Sequence, residues 1–544
     1  MADSNDEWDE FIEFDNEKPF IPMRPRPQFF DSYGFNDTGI ILKVTLSILV
    51  IILSVIYLQN MFNKKRMKYV QGWPIFGSLH KFTKVNPHIL LTLLRRQFGN
   101  IYRINIGQKK VVVVCSKQGI EEGLLKKGAV MCDRPDSVSA NILYKGNRQN
   151  GVIMSDYTDK FQRKKAILHD CIYIGKIMSP QIDDKITEGL YKLAWEFQSH
   201  VGTPLNPRDL ISCGIFNVLT WIVFNVQFEY NDQLFIKLLY IFDIRFKSAY
   251  SLKADYLPML QVFGPCMKAT ALQMSCQLVK EFPTDQINDH KDLYDPDELN
   301  DVLDSFLYQL DQNVDLGVLN DSDIYYVLLD LIGHSFEPIT ATLEWALVYL
   351  ANYPDIQRRV HEEIDEVVGA ERFPCLEDRP MMPYTFATIL EIQRMVTVMP
   401  FGLPHKTITA TKFQGYDLPE GTNILFNFWS LNHDRRWWTK PGEFDPERFL
   451  TTDKKVRVPD YFMPYSEGRR KCLGPAISDA TIFLFITCIL HQLNVAPVLN
   501  NGKTSLDTEG EYINFVILPK QFEVCLTDRH SQESTQTCPE TVPI

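Results

Sequence analysis

Hydrophobic and polar positions divide the chain into three textures. Residues 1–38 are polar, with ten acids against three bases, which is too little apolar material to bury a core; such a tail is expected to be disordered. Ile40 to Leu58 is apolar with a single charge, Lys43, and its length approaches the roughly 20 residues that span a bilayer core. From about Met67 the rhythm becomes that of a folded body. Apolar residues recur at three- and four-residue spacing over Asp321 to Asn352, Pro354 to Val368 and Pro383 to Thr397, which predicts three helices. Alternating runs at Asn100 to Val114 and Lys406 to Phe426, the second punctuated by Gly415 and Gly421, predict short strands.

This pattern predicts an acidic tail over residues 1–38, a membrane anchor over 39–59, a basic linker over 60–80, one large domain over 81–525 and a loose polar tail over 526–544. The anchor begins too far into the chain for a cleaved signal peptide, and no small-residue cleavage site follows it. Lys64, Lys65, Arg66 and Lys68 come directly after it. Basic residues stay on the cytoplasmic side, so the tail is expected in the lumen and the body in the cytosol, a single-pass protein of the endoplasmic reticulum membrane. Asn36-Asp37-Thr38 is a glycosylation sequon on the expected lumenal side, very close to the membrane.

Charge and cysteine content narrow the chemistry. A net charge of -12 excludes a nucleic-acid partner, because phosphate binding requires clustered Lys and Arg. The 11 cysteines are odd in number and lack the paired spacings of a disulfide scaffold or zinc site, so most are expected to be reduced core thiols. One differs in context. Tyr465 to Gly474 reads YSEGRRKCLG and precedes an apolar helical run, Ile477 to Leu493. A glycine-rich approach ending in Cys472 at a helix start suits a thiolate metal ligand: Gly468 and Gly474 allow a close backbone bend, while amides and the helix N-terminus favour the sulfur anion. The alternative is an inert buried thiol.

This segment resembles the cytochrome P-450 signature Phe-x-x-Gly-x-Arg-x-Cys-x-Gly, with Tyr465 in place of Phe. Glu391-Ile392-Gln393-Arg394 and Pro446-Glu447-Arg448-Phe449 are similar to two further family motifs, in the expected order, and the likeness covers the body from Tyr69 to Leu526. The resemblance implies a mainly α fold with a smaller β portion, the cytochrome P-450 fold, preceded here by a single transmembrane helix. It implies haem b as cofactor, with Cys472 as axial ligand and Arg470, His405, Lys165, Tyr465 and Gly468 around the haem. Glu391, Arg394 and Arg448 would form a buried structural triad. Lys165 stands where the family's Trp-x-x-x-Arg contact would place arginine, so it offers a point charge without the bidentate fork.

The central helix departs from the resemblance. Asp330 to Trp345 aligns without gaps to the family's oxygen-activating segment, but its acid and threonine become Glu337 and Pro338. In the family that pair relays protons so that the O–O bond breaks heterolytically. Pro338 has no hydroxyl, lacks an N–H, and is expected to free the His334 carbonyl and kink the helix. Ser335 and Thr342 share its face, about one turn away. Ser335 acting through water and Glu337 are the candidate catalytic groups.

Two functions follow from the resemblance. The first is a monooxygenase that inserts one atom of O2 into a lipophilic steroid, fatty acid or xenobiotic with electrons from an NADPH-dependent cytochrome P-450 reductase. The second is a haem-thiolate isomerase or dehydratase acting on a peroxide, which needs neither threonine nor reductase. Substrate contacts are expected from Asn141 to Val152, Phe235 to Gln261, Ile332 to Phe336 and Val396 to Leu403.

Overall fold

A computed structural model describes residues 37–62, 67–83, 85–173, 180–250, 253–312, 319–498 and 505–531. The acidic tail to residue 36, the sequon Asn36 and the basic residues Lys64 to Arg66 lie outside these. The chain forms two compact units, residues 1–66 and 67–544.

Among the described residues the first unit contains one helix, Asp37–Phe62, of 26 residues. At 1.5 Å per residue it is about 39 Å long. Leu42, Leu46, Leu49, Ile51 and Leu53 are each at least half exposed among the described residues.

The second unit is mainly helical. Its axis is the 32-residue helix Asp321–Asn352, the central helix below, opened by a capping box in which the Asn320 side chain accepts from Asp323 N–H and the Asp323 carboxylate accepts from Asn320 N–H. It packs against Arg208–Phe224, Pro383–Val396 and Pro475–Gln492. The expected helices from 354 and 383 form as Pro354–Val367 and Pro383–Val396. Pro475–Gln492, the cysteine helix, is long and apolar enough to cross a membrane, yet 67% of it is buried within the body. A helix apolar on every side suits a core as well as a bilayer.

The smaller β portion centres on a five-stranded sheet. Ile101–Ile106 and Lys109–Val114 form a hairpin with Ile101 opposite Val114. Tyr69–Val70 adds parallel on one side and Asn423–Phe426 parallel on the other, and His405–Lys406 closes the edge with His405 opposite Ile424. The region around Gly415, where φ is +80°, is a separate hairpin, Thr411–Phe413 with Tyr416–Leu418.

Two expected boundaries move. Residues 67–80, assigned to the linker, belong to the body: Tyr69 pairs with Arg103, and Trp73 and Gly77 exchange backbone hydrogen bonds in a tight turn. At the other end, Val524–Asp528 is a strand between Leu493–Pro497 and Pro204–Leu205, so ordered structure continues past 525, with Leu526 fully buried. Local polarity misses both, because each segment is held by pairing to distant strands. Among the described residues nine cysteines are free thiols, five of them buried, whereas Cys525 is disulfide-bonded, so the expectation of reduced core thiols holds only in part.

Candidate active site

Cys472 lies in the loop between a short 3-10 turn, Gly468–Arg470, and the cysteine helix. Its N–H donates to the Tyr465 carbonyl at 3.0 Å, and the Gly474 N–H points at its sulfur at 3.4 Å. Burial pushes the Cys472 thiol up, and that amide opposes the shift. A positive metal ion at the sulfur would reverse the balance.

The two glycines of the loop differ in their surroundings. Gly468 has φ +77°, and a Cβ there would come within 2.1 Å of the Leu124 carbonyl oxygen. It is required by a neighbouring segment of the protein. Gly474 has open space around its Cβ position, with only Ile477 Cβ at 4.0 Å, so no neighbouring atom requires a glycine there.

Behind the loop sits the expected triad. Arg394 donates to both oxygens of Glu391, at 2.7 and 2.8 Å, and Arg448 Nε donates to Glu391 at 3.2 Å. Arg394 also ties the carbonyls of Asn432 and Pro441. Both members of the Glu391–Arg394 pair are fully buried. Removing one charge would strand the other, so the triad fixes the helix Pro383–Val396 to the segment from Asn432 to Arg448. Tyr465 is tied in by polar contacts a phenylalanine could not make: its hydroxyl donates to Asp479 at 2.5 Å and accepts from Gln393 Nε2 at 3.1 Å.

Cys472 opens into a cavity of about 350 Å³ whose walls include Arg470, His405, Lys165, Tyr465, Ser335 and Glu337. The fold thus brings together every expected site side chain except Gly468, which supports the loop from outside. Arg134, in the segment Cys132-Asp133-Arg134-Pro135, joins them. No spacing signal marked it.

The basic members gather along one wall. Arg470 donates to the carbonyls of Cys132, Val152 and Ser155, Arg134 to those of Ile153, Leu403 and Pro404, and Lys165 to that of Arg469. Among the described residues none of the three has a carboxylate partner. Burial lowers all three: Arg470 falls to about 10, Arg134 falls further with Arg470 adding to its burial, and Lys165 feels both Arg470 and Arg469. His405 is buried; its Nδ1 bonds to the Met131 carbonyl at 2.7 Å, leaving Nε2 for the cavity. Arg134 is buried and Arg470 and Lys165 are half-buried, and such mutually repelling cations fit a group carrying two carboxylates. Together with the sulfur and the apolar remainder of the cavity, these residues fit haem, with Cys472 at the iron and the cations at the propionates.

The opposite wall is the central helix. It continues through Pro338 without a break in helical assignment. Thr342 donates its hydroxyl to the Pro338 carbonyl at 2.7 Å, so it is committed to the backbone. Ser335 is half-buried on the cavity face. Glu337 accepts from Arg208 at 2.6 Å while Arg208 also holds Glu344 at 2.7 Å. Burial raises both acids, against the pull of Arg208, Glu344 to about 7. Nothing local in the sequence paired Arg208 with residues of a helix more than a hundred positions later.

Comparison with known proteins agrees with this architecture. Residues 67–526 match the family described as Cytochrome P450. The chain is 31% identical over 465 residues to Cytochrome P450 2D26 of Rattus norvegicus, covering 84% of this chain and 91% of that one. It is 28% identical to Cytochrome P450 2C5 of Oryctolagus cuniculus, covering 89% and 99%, and 29% identical to Cytochrome P450 2U1 of Homo sapiens, covering 82% of each.

Proposed function

Since the chain belongs to the cytochrome P450 family, whose members are haem b monooxygenases, we propose that it inserts one oxygen atom from O2 into a lipophilic small molecule, with electrons from an NADPH-dependent cytochrome P450 reductase. Asp37–Phe62 anchors it as a single span in the endoplasmic reticulum membrane, with the body in the cytosol. The observation that carries the reading is the single cavity shared by Cys472, the basic wall and the central helix.

The protein's part is holding and proton handling. Bound haem supplies the electron-transfer and oxygen chemistry, and a thiolate ligand favours O–O cleavage. Cys472 would hold the iron, with Gly474 N–H steadying the sulfur. Arg134, Arg470, Lys165 and His405 would hold the propionates. The apolar lining excludes bulk water. Protons then depend on few groups. Ser335 presents a hydroxyl at the cavity face, where that of Thr342 is spent on the Pro338 carbonyl, and it passes protons through an ordered water. Glu337 acts only as far as Arg208 releases it.

The same geometry favours a second reading, the peroxide isomerase or dehydratase, because Pro338 brings no hydroxyl and Glu337 is engaged. The family-wide likeness weighs toward the monooxygenase. One cuvette separates them. The reduced carbon-monoxide difference spectrum should show a thiolate band, and added reductase should then drive NADPH consumption with an oxygenated product. Turnover of a lipid hydroperoxide with no reductase-driven product would overturn the monooxygenase in favour of the isomerase.

A further inference from the structure

The end of the cavity formed by the central helix, within electrostatic reach of Arg134, is not apolar. Three polar groups line it. The Tyr250 hydroxyl is buried beside that of Tyr144, which itself donates to Asp330. Both amide atoms of Asn514 are buried and have no hydrogen-bond partner among the described residues. A buried polar group without a partner costs on the order of 1–3 kcal/mol, so the Asn514 amide implies an absent partner.

The third group is His334. Its Nδ1 lies 3.3 Å from the Asp330 carbonyl oxygen and 3.7 Å from the Asp330 carboxylate. Both neighbours only accept, so the proton of the neutral ring sits on Nδ1 and Nε2 is a bare acceptor. Burial, opposed by Asp330 and reinforced by Arg245, holds the imidazole below its ordinary value, hence neutral at pH 7. His334 lines the cavity with its side chain 27% exposed.

These groups are close and rigidly held. The Tyr250 and His334 rings are 6.4 Å apart, and Tyr250 lies 5.4 Å from Phe515, the residue after Asn514. Asn514 and Phe515 form the two-residue tip of the hairpin Glu511–Ile513 and Val516–Leu518, with φ of +46° and +72°, the left-handed pair of a type I′ turn. The Trp345 indole donates to the Ile517 carbonyl and the Ile517 N–H donates to Val398, fixing the tip against the cavity. Asp330 is already saturated by the Tyr144 hydroxyl and the N–H groups of Val152 and Ile153. Its carboxylate offsets the buried Arg245 and would repel an acid.

We propose that this end of the cavity is a specificity subsite for a hydroxyl group, so that the protein takes lipophilic alcohols. The hydroxyl donates to His334 Nε2 and accepts from the Asn514 amide, while the apolar remainder of the substrate occupies the cavity. The proposal rests on the reading of this cavity as a monooxygenase's substrate chamber. A ketone or ether could only accept, leaving His334 unmet, and a hydrocarbon would meet none of the three.

Binding to the haem-loaded full chain tests it, followed optically and by calorimetry. One probe set is 5α-androstan-3β-ol, its methyl ether, 5α-androstane and 5α-androstane-3β-carboxylate; a second is the matching dodecane series. In at least one skeleton the alcohol should bind about tenfold more tightly than the ether and the hydrocarbon, the factor one well-formed neutral hydrogen bond supports. His334→Ala and Asn514→Ala should each reduce the preference to twofold or less with hydrocarbon binding unchanged, and His334→Gln, which keeps an acceptor, should restore part of it. No alcohol preference in either skeleton, including no binding at all, overturns the proposal. So does a preference that survives both alanine variants, or tightest binding by the carboxylate. An alcohol preference without reductase-driven turnover retains the subsite and refutes the monooxygenase; turnover without the preference does the reverse.

Discussion

The guanidinium of Arg208 lies 2.6 Å from the carboxylate of Glu337, the acid beside the proline that replaces the family's threonine. The central helix thus keeps an acid at the expected position but spends it on a neighbouring helix. Glu344, seven residues on, shares the same arginine at 2.7 Å.

Loss of that cation should be costly. Arg208→Met leaves two acids, 1% and 6% exposed, without a counter-charge. The expected destabilisation is roughly 2–3 kcal/mol, below the fully buried value because Arg208 itself is partly exposed. Urea unfolding of the two proteins measures it. Equal midpoints would show that the cluster is not a stabilising one.

One arginine between two carboxylates leaves one negative charge in excess, which gives a pH signature. Burial holds the Glu344 carboxyl at about 7 in the folded chain, above its ordinary 4.5. The folded state therefore binds more protons than the unfolded between those values, and its stability falls as pH rises from about 4.5 to 7. Glu344→Gln should flatten this decline, by on the order of 1–3 kcal/mol at pH 8. Thermal midpoints at pH 5.5 and 8 check it; an unchanged pH slope would exclude Glu344 as its source.

Tyr465→Phe restores the family's residue and should still destabilise the chain. Asp479 is half-buried and raised by desolvation, with the Tyr465 hydroxyl acting against the shift. Deleting the donor leaves Asp479 and Gln393 short of a partner, at a cost of roughly 1–3 kcal/mol. The measurement is the thermal midpoint with haem content. A neutral or stabilised variant would mean that water replaces the hydroxyl.

Proton supply is tested at the central helix. Ser335→Ala should reduce product per NADPH consumed by about tenfold or more, the scale of a lost proton-transfer group, whereas Pro338→Thr should raise coupling by returning a hydroxyl. If coupling and product pattern stay the same in both variants, neither position handles the proton.

What the sequence made legible was local. The cysteine loop, the Glu391–Arg394 spacing and the 3.6-residue rhythm of the central helix are each written within one continuous stretch of sequence, and each formed where expected. What it concealed was pairing across distance. Arg208 reads as an ordinary helix-start arginine until the fold sets it against Glu337. Arg134 reads as a loop residue before proline until the cysteine loop brings Arg470 to it. Asn514 reads as a surface turn until its hairpin is pinned by Trp345. The chamber's polar end was hidden for the same reason: His334 sits on the central helix and Tyr250 just past the helix Gln233–Ser248, and only their meeting makes it.

The contact of Gly468 with the Leu124 carbonyl joins two segments far apart in the chain. They meet backbone to backbone, with no room for a side chain between them. A shift of the Leu124 segment is therefore passed directly to the turn that carries Cys472, so that a change far from the cysteine in sequence reaches the geometry of its loop.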